Sequence, residues 1–102
     1  MFDFLSKQLL DRAEYLSPYE LLWRYDDLQD ISKECNNNNR IVLGGDIYTI
    51  EKKFDNCGWY YNNNTNIDRN ENVRKSVETM NEYLNMFRIR NGPDFFFTLV
   101  LR

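Results

Sequence analysis

Two adjacent glycines inside a β-branched run constrain this chain more than any other feature. The run reads Arg40-Ile41-Val42-Leu43-Gly44-Gly45-Asp46-Ile47-Tyr48-Thr49-Ile50. Ile41, Val42 and Leu43 are apolar without alternation, as in a strand covered by protein on both faces. Glycines within such a strand mark a bulge, or a point where another backbone comes close. The pattern resumes after Asp46, residues 51–56 are polar enough to turn, and Cys57-Gly58-Trp59-Tyr60-Tyr61 returns as a second strand. A β-hairpin is expected here, and the other segments must pack around it.

Upstream, Phe2, Leu5, Leu9, Ala13 and Leu16 recur at helical spacing, so residues 2–16 are expected to form an amphipathic helix. Ser17-Pro18-Tyr19-Glu20 reads as a helix start, with Ser17 as cap, Pro18 at the first helical position and Glu20 completing a capping box. Leu21, Leu22, Tyr25, Leu28 and Ser32 carry the helical period to about residue 35. Asp26 with Gln29 offers a second cap that would divide this segment into two short helices. Asparagines at 36–39 end it. Downstream of the hairpin, Asp68 and Glu71 cap a helix whose stripe is Val73, Val77, Met80, Leu84 and Phe87, widened by Tyr83. Asn91-Gly92-Pro93 stops that helix, and residues 95–101 (Phe-Phe-Phe-Thr-Leu-Val-Leu) form an apolar strand.

These elements predict one α+β domain over residues 1–102, a length that suits a single core. We expect a small, three-stranded, mainly antiparallel sheet with N-terminal helices and one long crossover helix packed on it. With the strands numbered in chain order, a right-handed crossover would make the second and third parallel. The preferred order is 2-1-3, which makes all neighbours antiparallel and puts the Gly-Gly-Asp strand in the middle. The long apolar run of the third strand requires that it not be an open edge.

Charge and chemistry narrow the function classes. The chain carries a formal net charge of −3, unevenly spread. Residues 1–39 hold eight acids against four bases, and residues 69–102 hold six bases against four acids. An acidic half disfavours nucleic acid and anionic membrane as partners and suits a basic protein; an ordinary solvated surface is the plainer reading of the same residues. Histidine is absent, which removes the commonest general base and the commonest zinc ligand. Cys35 and Cys57 lie far apart, so no metal site is expected and the thiols are expected to be free. Gly44-Gly45 lacks the lysine of a phosphate-binding loop and the third glycine of a dinucleotide site. Residues 64–75 place Arg69 and Lys75 where a calcium loop needs glycine and glutamate. No cofactor is therefore expected. No secretory signal or membrane span is visible, and the expected location is the cytoplasm.

Carboxylates are the remaining chemical groups. Asp26, Asp27 and Asp30 crowd one stretch, and Asp46 sits at the glycine pair. A hydrolase could use such acids, but helix capping and dipole stabilisation explain them more simply, and no catalysis is expected. Asp46 either stabilises the bulge or faces a partner. Trp59, Tyr60 and Tyr61 alternate in direction, so either one face enters the core and the other is open to a partner, or all three pack under the helices. The expected binding surface comprises Asp26, Asp27, Asp30 and Asp46 with exposed members of Tyr48, Trp59 and Tyr61.

The run Ile-Val-Leu-Gly-Gly-Asp-Ile-Tyr at 41–48, with Gly-Trp-Tyr-Tyr at 58–61 and then a helix and a hydrophobic last strand, resembles the small immunity proteins of bacterial polymorphic toxin systems. In particular it resembles the immunity family catalogued under the number forty. The similarity runs from about residue 17 onward and is sharpest at 43–48 and 59–60. It implies an α+β fold, no catalysis, and a cognate toxin domain encoded by the adjacent gene, delivered in some systems by contact-dependent inhibition. A small cytosolic regulatory or structural subunit that binds a host protein is the alternative from a different class.

Overall fold

The computed structural model describes residues 2–102. In chain order the elements are α1 (Lys7–Arg12), β1 (Glu14–Ser17), β2 (Glu20–Arg24), a 3-10 turn (Tyr25–Asp27) and α2 (Leu28–Asn37). There follow β3 (Val42–Thr49), β4 (Phe54–Tyr60), α3 (Arg69–Asn91), β5 (Phe95–Phe97) and β6 (Val100–Leu101). The strands form a single antiparallel sheet in the order β1-β2-β5-β3-β4, with β6 also paired to β3.

The glycine run is an interior strand, flanked on both sides and next to the β4 edge, as its composition suggests. β3 pairs with β4 on one side and with β5 and β6 on the other, which is the expected 2-1-3 order. The strands crowd at the glycines. A Cβ on Gly45 would overlap the Thr98 carbonyl oxygen and lie 2.5 Å from the Trp59 ring. One on Gly44 would meet the Trp59 carbonyl oxygen and lie 3.0 Å from the Tyr60 Cα. The last strand breaks at Thr98, which bridges the irregularity. Its N–H donates to the Asp46 carbonyl and its Oγ1 accepts from the Asp46 N–H, both at 3.0 Å. The hairpin turn is tighter than expected. Lys52, at φ 66°, donates its N–H to the Thr49 carbonyl at 2.8 Å, so β4 begins at Phe54.

The sheet has six strands where three were expected, because residues 14–24 are a hairpin and not a helix, and because the last strand is divided into β5 and β6. Ser17 does bond as a cap does: its Oγ accepts from the N–H groups of Tyr19 at 3.2 Å and Glu20 at 3.1 Å. Here that interaction closes a turn, the alternative use of the same chemistry. β2 then lies along β5, pairing Trp23 with Phe97 and Arg24 with Phe96. β5 gains the cover that its apolar run demands. The first helix is correspondingly short, capped by Ser6 rather than starting at residue 2. Phe2, Leu5, Leu9 and Ala13 are nevertheless buried, so their spacing reported the core correctly but the element only in part.

The two faces of the sheet differ. Trp23, Phe97 and Ile47 align across β2, β5 and β3 and join one hydrophobic cluster with Leu9 of α1, Ile31 and Cys35 of α2, and Val77, Met80 and Leu84 of α3. Trp23 is fully buried and donates its Nε1–H to the Leu9 carbonyl at 3.0 Å. α3 is fastened to the sheet by Ser76, whose buried Oγ accepts from the Val42 N–H at 2.9 Å. The opposite row, Arg24, Phe96, Tyr48 and Phe54, lies on the other side of the same strands. All three helices contribute to the cluster on the first face, and the second carries no helix. Overall extents of 40 × 30 × 20 Å suit two layers, since layers pack about 10 Å apart.

Candidate functional site

The expected binding residues fall into three groups. Asp27 and Asp30 are gathered by Arg12 from the end of α1. Arg12 Nε donates to Asp27 Oδ1 at 2.6 Å, and its Nη2 donates to Asp30 Oδ2 at 3.2 Å. The hydrogen bond and charge of Asp27, with those of Asp30, push the Arg12 guanidinium further above its ordinary range. Asp27 is only 7% exposed, so its role is to tie α1 to the start of α2. Asp26 differs. It is exposed, and among the described residues no hydrogen bond or ion pair holds its carboxylate. It lines a cleft of about 370 Å³ between the turn, α2 and α3, together with Tyr25, Gln29, Asn81 and Asn85. The aspartate cluster is thus one free acid beside an ion-paired clamp.

Trp59 and Tyr61 turn toward the helices and are half-buried, the packed alternative of the two that the sequence leaves open. Trp59 stacks on Tyr83 of α3 with ring centroids 5.5 Å apart and meets Phe97 edge-on at 6.5 Å. The Tyr61 hydroxyl donates to Asn72 Oδ1 at 2.7 Å, and Asn72 in turn holds the backbone of Asn64. Both aromatics are packing residues of the covered face. Alternation leaves Tyr60 on the other side, 74% exposed.

Asp46 and Tyr48 lie on the face away from the helices, where Phe96 and Leu22 are nonetheless buried. The Asp46 backbone is paired with Thr98, but its carboxylate is exposed and unbonded among the described residues. The Tyr48 ring leans on Phe54 at 5.8 Å. Partial burial pushes the Tyr48 phenol above its ordinary range, and the charges of Glu20 and Asp46 push it the same way. Three residues outside the expected set complete this face: Tyr60, Phe54 and Val100, the last two each 52% exposed. Val100 was hidden in an unbroken apolar run, where alternation cannot be phased until one knows which neighbour is buried. Leu99 and Leu101 are the buried ones.

Among the described residues, no three His, Cys, Asp or Glu side chains are grouped to hold a metal ion. Cys35 is buried among apolar residues, and burial pushes its thiol up to about 12. Among the described residues no helix is long and apolar enough to cross a membrane. Tyr60, Phe54 and Val100 are the exposed apolar residues on the side of the sheet that also carries the Asp46 carboxylate.

Compared with known proteins, residues 12–101 match the family model of Immunity protein 40. No curated protein and no solved structure matches the chain.

Proposed function

The chain belongs to the Immunity protein 40 family, and from that membership we propose that it neutralises one cognate bacterial toxin domain by binding it without covalent chemistry. Immunity proteins as a class neutralise toxins and generally do so without catalysis. The observation that carries the reading is the extent of the match, which spans both the glycine-centred sheet and α3. The exposed aromatics and unpaired acids support it, because binding needs such surface and catalysis would need grouped reactive side chains. The toxin is encoded by the adjacent gene and is met in the cytoplasm. A net acidic chain suits a basic toxin.

The test is co-expression of the neighbouring toxin domain with this protein. Protected growth and a co-purifying complex of the two are expected. Failure of the wild-type protein to protect or to bind would overturn the reading. The purified protein alone should show no hydrolase or nuclease turnover. Turnover that vanishes in Asp46→Asn with folding intact would make it an enzyme.

A further inference from the structure

Asp26 does none of the local work that its neighbours do. The sequence offers it as a helix cap, but Asp27 stands at the N-cap of α2 and no side-chain cap bond forms there or at the 3-10 turn. The cleft that Asp26 lines is tied on both sides. The Tyr25 hydroxyl donates to Asn85 Oδ1, which joins the turn to α3. Asn81 Nδ2 donates to Ser32 Oγ and to the Val77 carbonyl, both at 2.8 Å, which joins α2 to α3. A carbonyl can only accept, so the Asn81 nitrogen must face Val77. The Asn81 oxygen then has no donor among the described residues. Tyr25 and Asn81 have thus used their donors, while the Asp26 carboxylate and the Asn81 oxygen accept nothing.

Resting on the toxin-binding reading, we propose that this cleft receives one arginine side chain of the toxin, its guanidinium on the Asp26 carboxylate and the Asn81 amide oxygen. A guanidinium carries five N–H donors and no acceptor, so it can answer a carboxylate and a neutral oxygen at once. An apolar small molecule would need a mainly apolar lining, and here only Leu28 and the Tyr25 ring supply one. The volume, about 370 Å³, is at the small end of ligand sites and suits a single side chain. No lysine or arginine lines the cleft. Arg88 lies over the Tyr25 ring, 5.2 Å from its centroid, and makes no ion pair with Asp26. Arg12 is held by Asp27 and Asp30. Because the walls are already tied, little ordering remains to oppose binding.

The experiment measures affinity and dissociation rate of the purified protein with the toxin domain from the adjacent gene. Asp26→Asn should weaken binding by about tenfold or more, mainly through faster dissociation, because truncating a paired charge acts on dissociation whereas a rim charge acts on association. The loss should persist at about 0.5 M salt, where steering is screened. Gln29→Arg, which offers Asp26 a guanidinium of this chain, should weaken binding at least as much. Positions 26 and 29 are exposed, so melting temperatures should stay near the wild-type value. Asp55→Asn removes the same charge from an exposed position on β4 and should leave dissociation unchanged. Among alanine variants of the toxin's arginines, one should make Asp26→Asn harmless, since the guanidinium it served is already gone. Unaltered dissociation in both cleft variants, with wild type still binding, overturns the cleft and leaves the toxin-binding reading standing. A loss for Asp26→Asn that vanishes with salt makes Asp26 a steering charge and also overturns it. So does an equal loss in Asp55→Asn, or a loss that adds to that of every toxin arginine. Wild type that binds no toxin overturns both proposals together.

Discussion

At position 45 the difference between glycine and alanine is one methyl group, which would overlap the Thr98 carbonyl and the Trp59 indole. A backbone oxygen on one side and a packed ring on the other cannot both retreat. Gly45→Ala should therefore cost roughly 1–3 kcal/mol or more, the range of overpacked cores, read as a shift in denaturant midpoint. Gly92→Ala is the comparison, because position 92 has open space but a φ of +83°. Its penalty is only backbone strain, about 1–2 kcal/mol. Equal stability of Gly45→Ala and wild type would mean that the strands can separate at the bulge. Cys35 gives the second residue-scale prediction. Its folded thiol is raised to about 12, mainly by burial, so its contribution is intact below the ordinary thiol range of roughly 8.5–9. Above that range the unfolded chain loses the proton while the folded chain keeps it. Stability should fall with a slope approaching about 1.4 kcal/mol per pH unit. The phenols of Tyr48 and Tyr83 are also raised and add to the fall only above about pH 10. A Cys35→Ala protein should lose the slope between pH 9 and 10, and an unchanged slope there would refute the assignment.

Among the elements, α3 is where sequence and structure agree most closely. Asp68 accepts from the Glu71 N–H at 2.8 Å, Gly92 closes the helix, and Val73, Val77, Met80 and Leu84 are buried. Leu84→Ala should cost about 2–5 kcal/mol as a cavity; a change under about 0.5 kcal/mol would mark a surface position. Every signal that defines α3 lies within it or at the residues that flank it, which is why it was legible. β1 and β2 were not, for a corresponding reason. Leu21 and Trp23 are compatible with either period, Ser17 makes the same bond in a cap and in a turn, and the deciding partner, Phe97, is some seventy residues away. The binding residues show the same divide. That residues 26, 27 and 30 are acids is plain from the chain, but that Arg12 holds two of them is not. The alternation of Trp59, Tyr60 and Tyr61 is local too, yet its phase depends on where α3 lands.

For the whole molecule, the uneven charge becomes a statement about encounter rates. With Asp27 and Asp30 committed to Arg12, the free acid of that region is Asp26, so Asp26→Asn is the variant to compare with wild type. Association with a basic toxin should slow by about twofold at low ionic strength and by little near 0.5 M salt, where screening lengths shrink to a few ångströms. An association rate indifferent to salt would remove steering from the account. Asp27→Asn should instead lower stability, because the clamp between α1 and α2 loses its buried anion. The place of β5 in the sheet has a consequence of another kind. β1–β2 and β3–β4 are hairpins that can each form early, but nothing joins them into one sheet until β5 lies between β2 and β3. A nascent chain whose residues 95–101 are still inside the ribosome therefore holds two unfinished sheets, each with a bare edge. Such a chain is open to proteases and to other nascent chains, because bare strand edges offer unpaired backbone groups. The sheet as a whole is thus complete only when these last residues have left the exit tunnel.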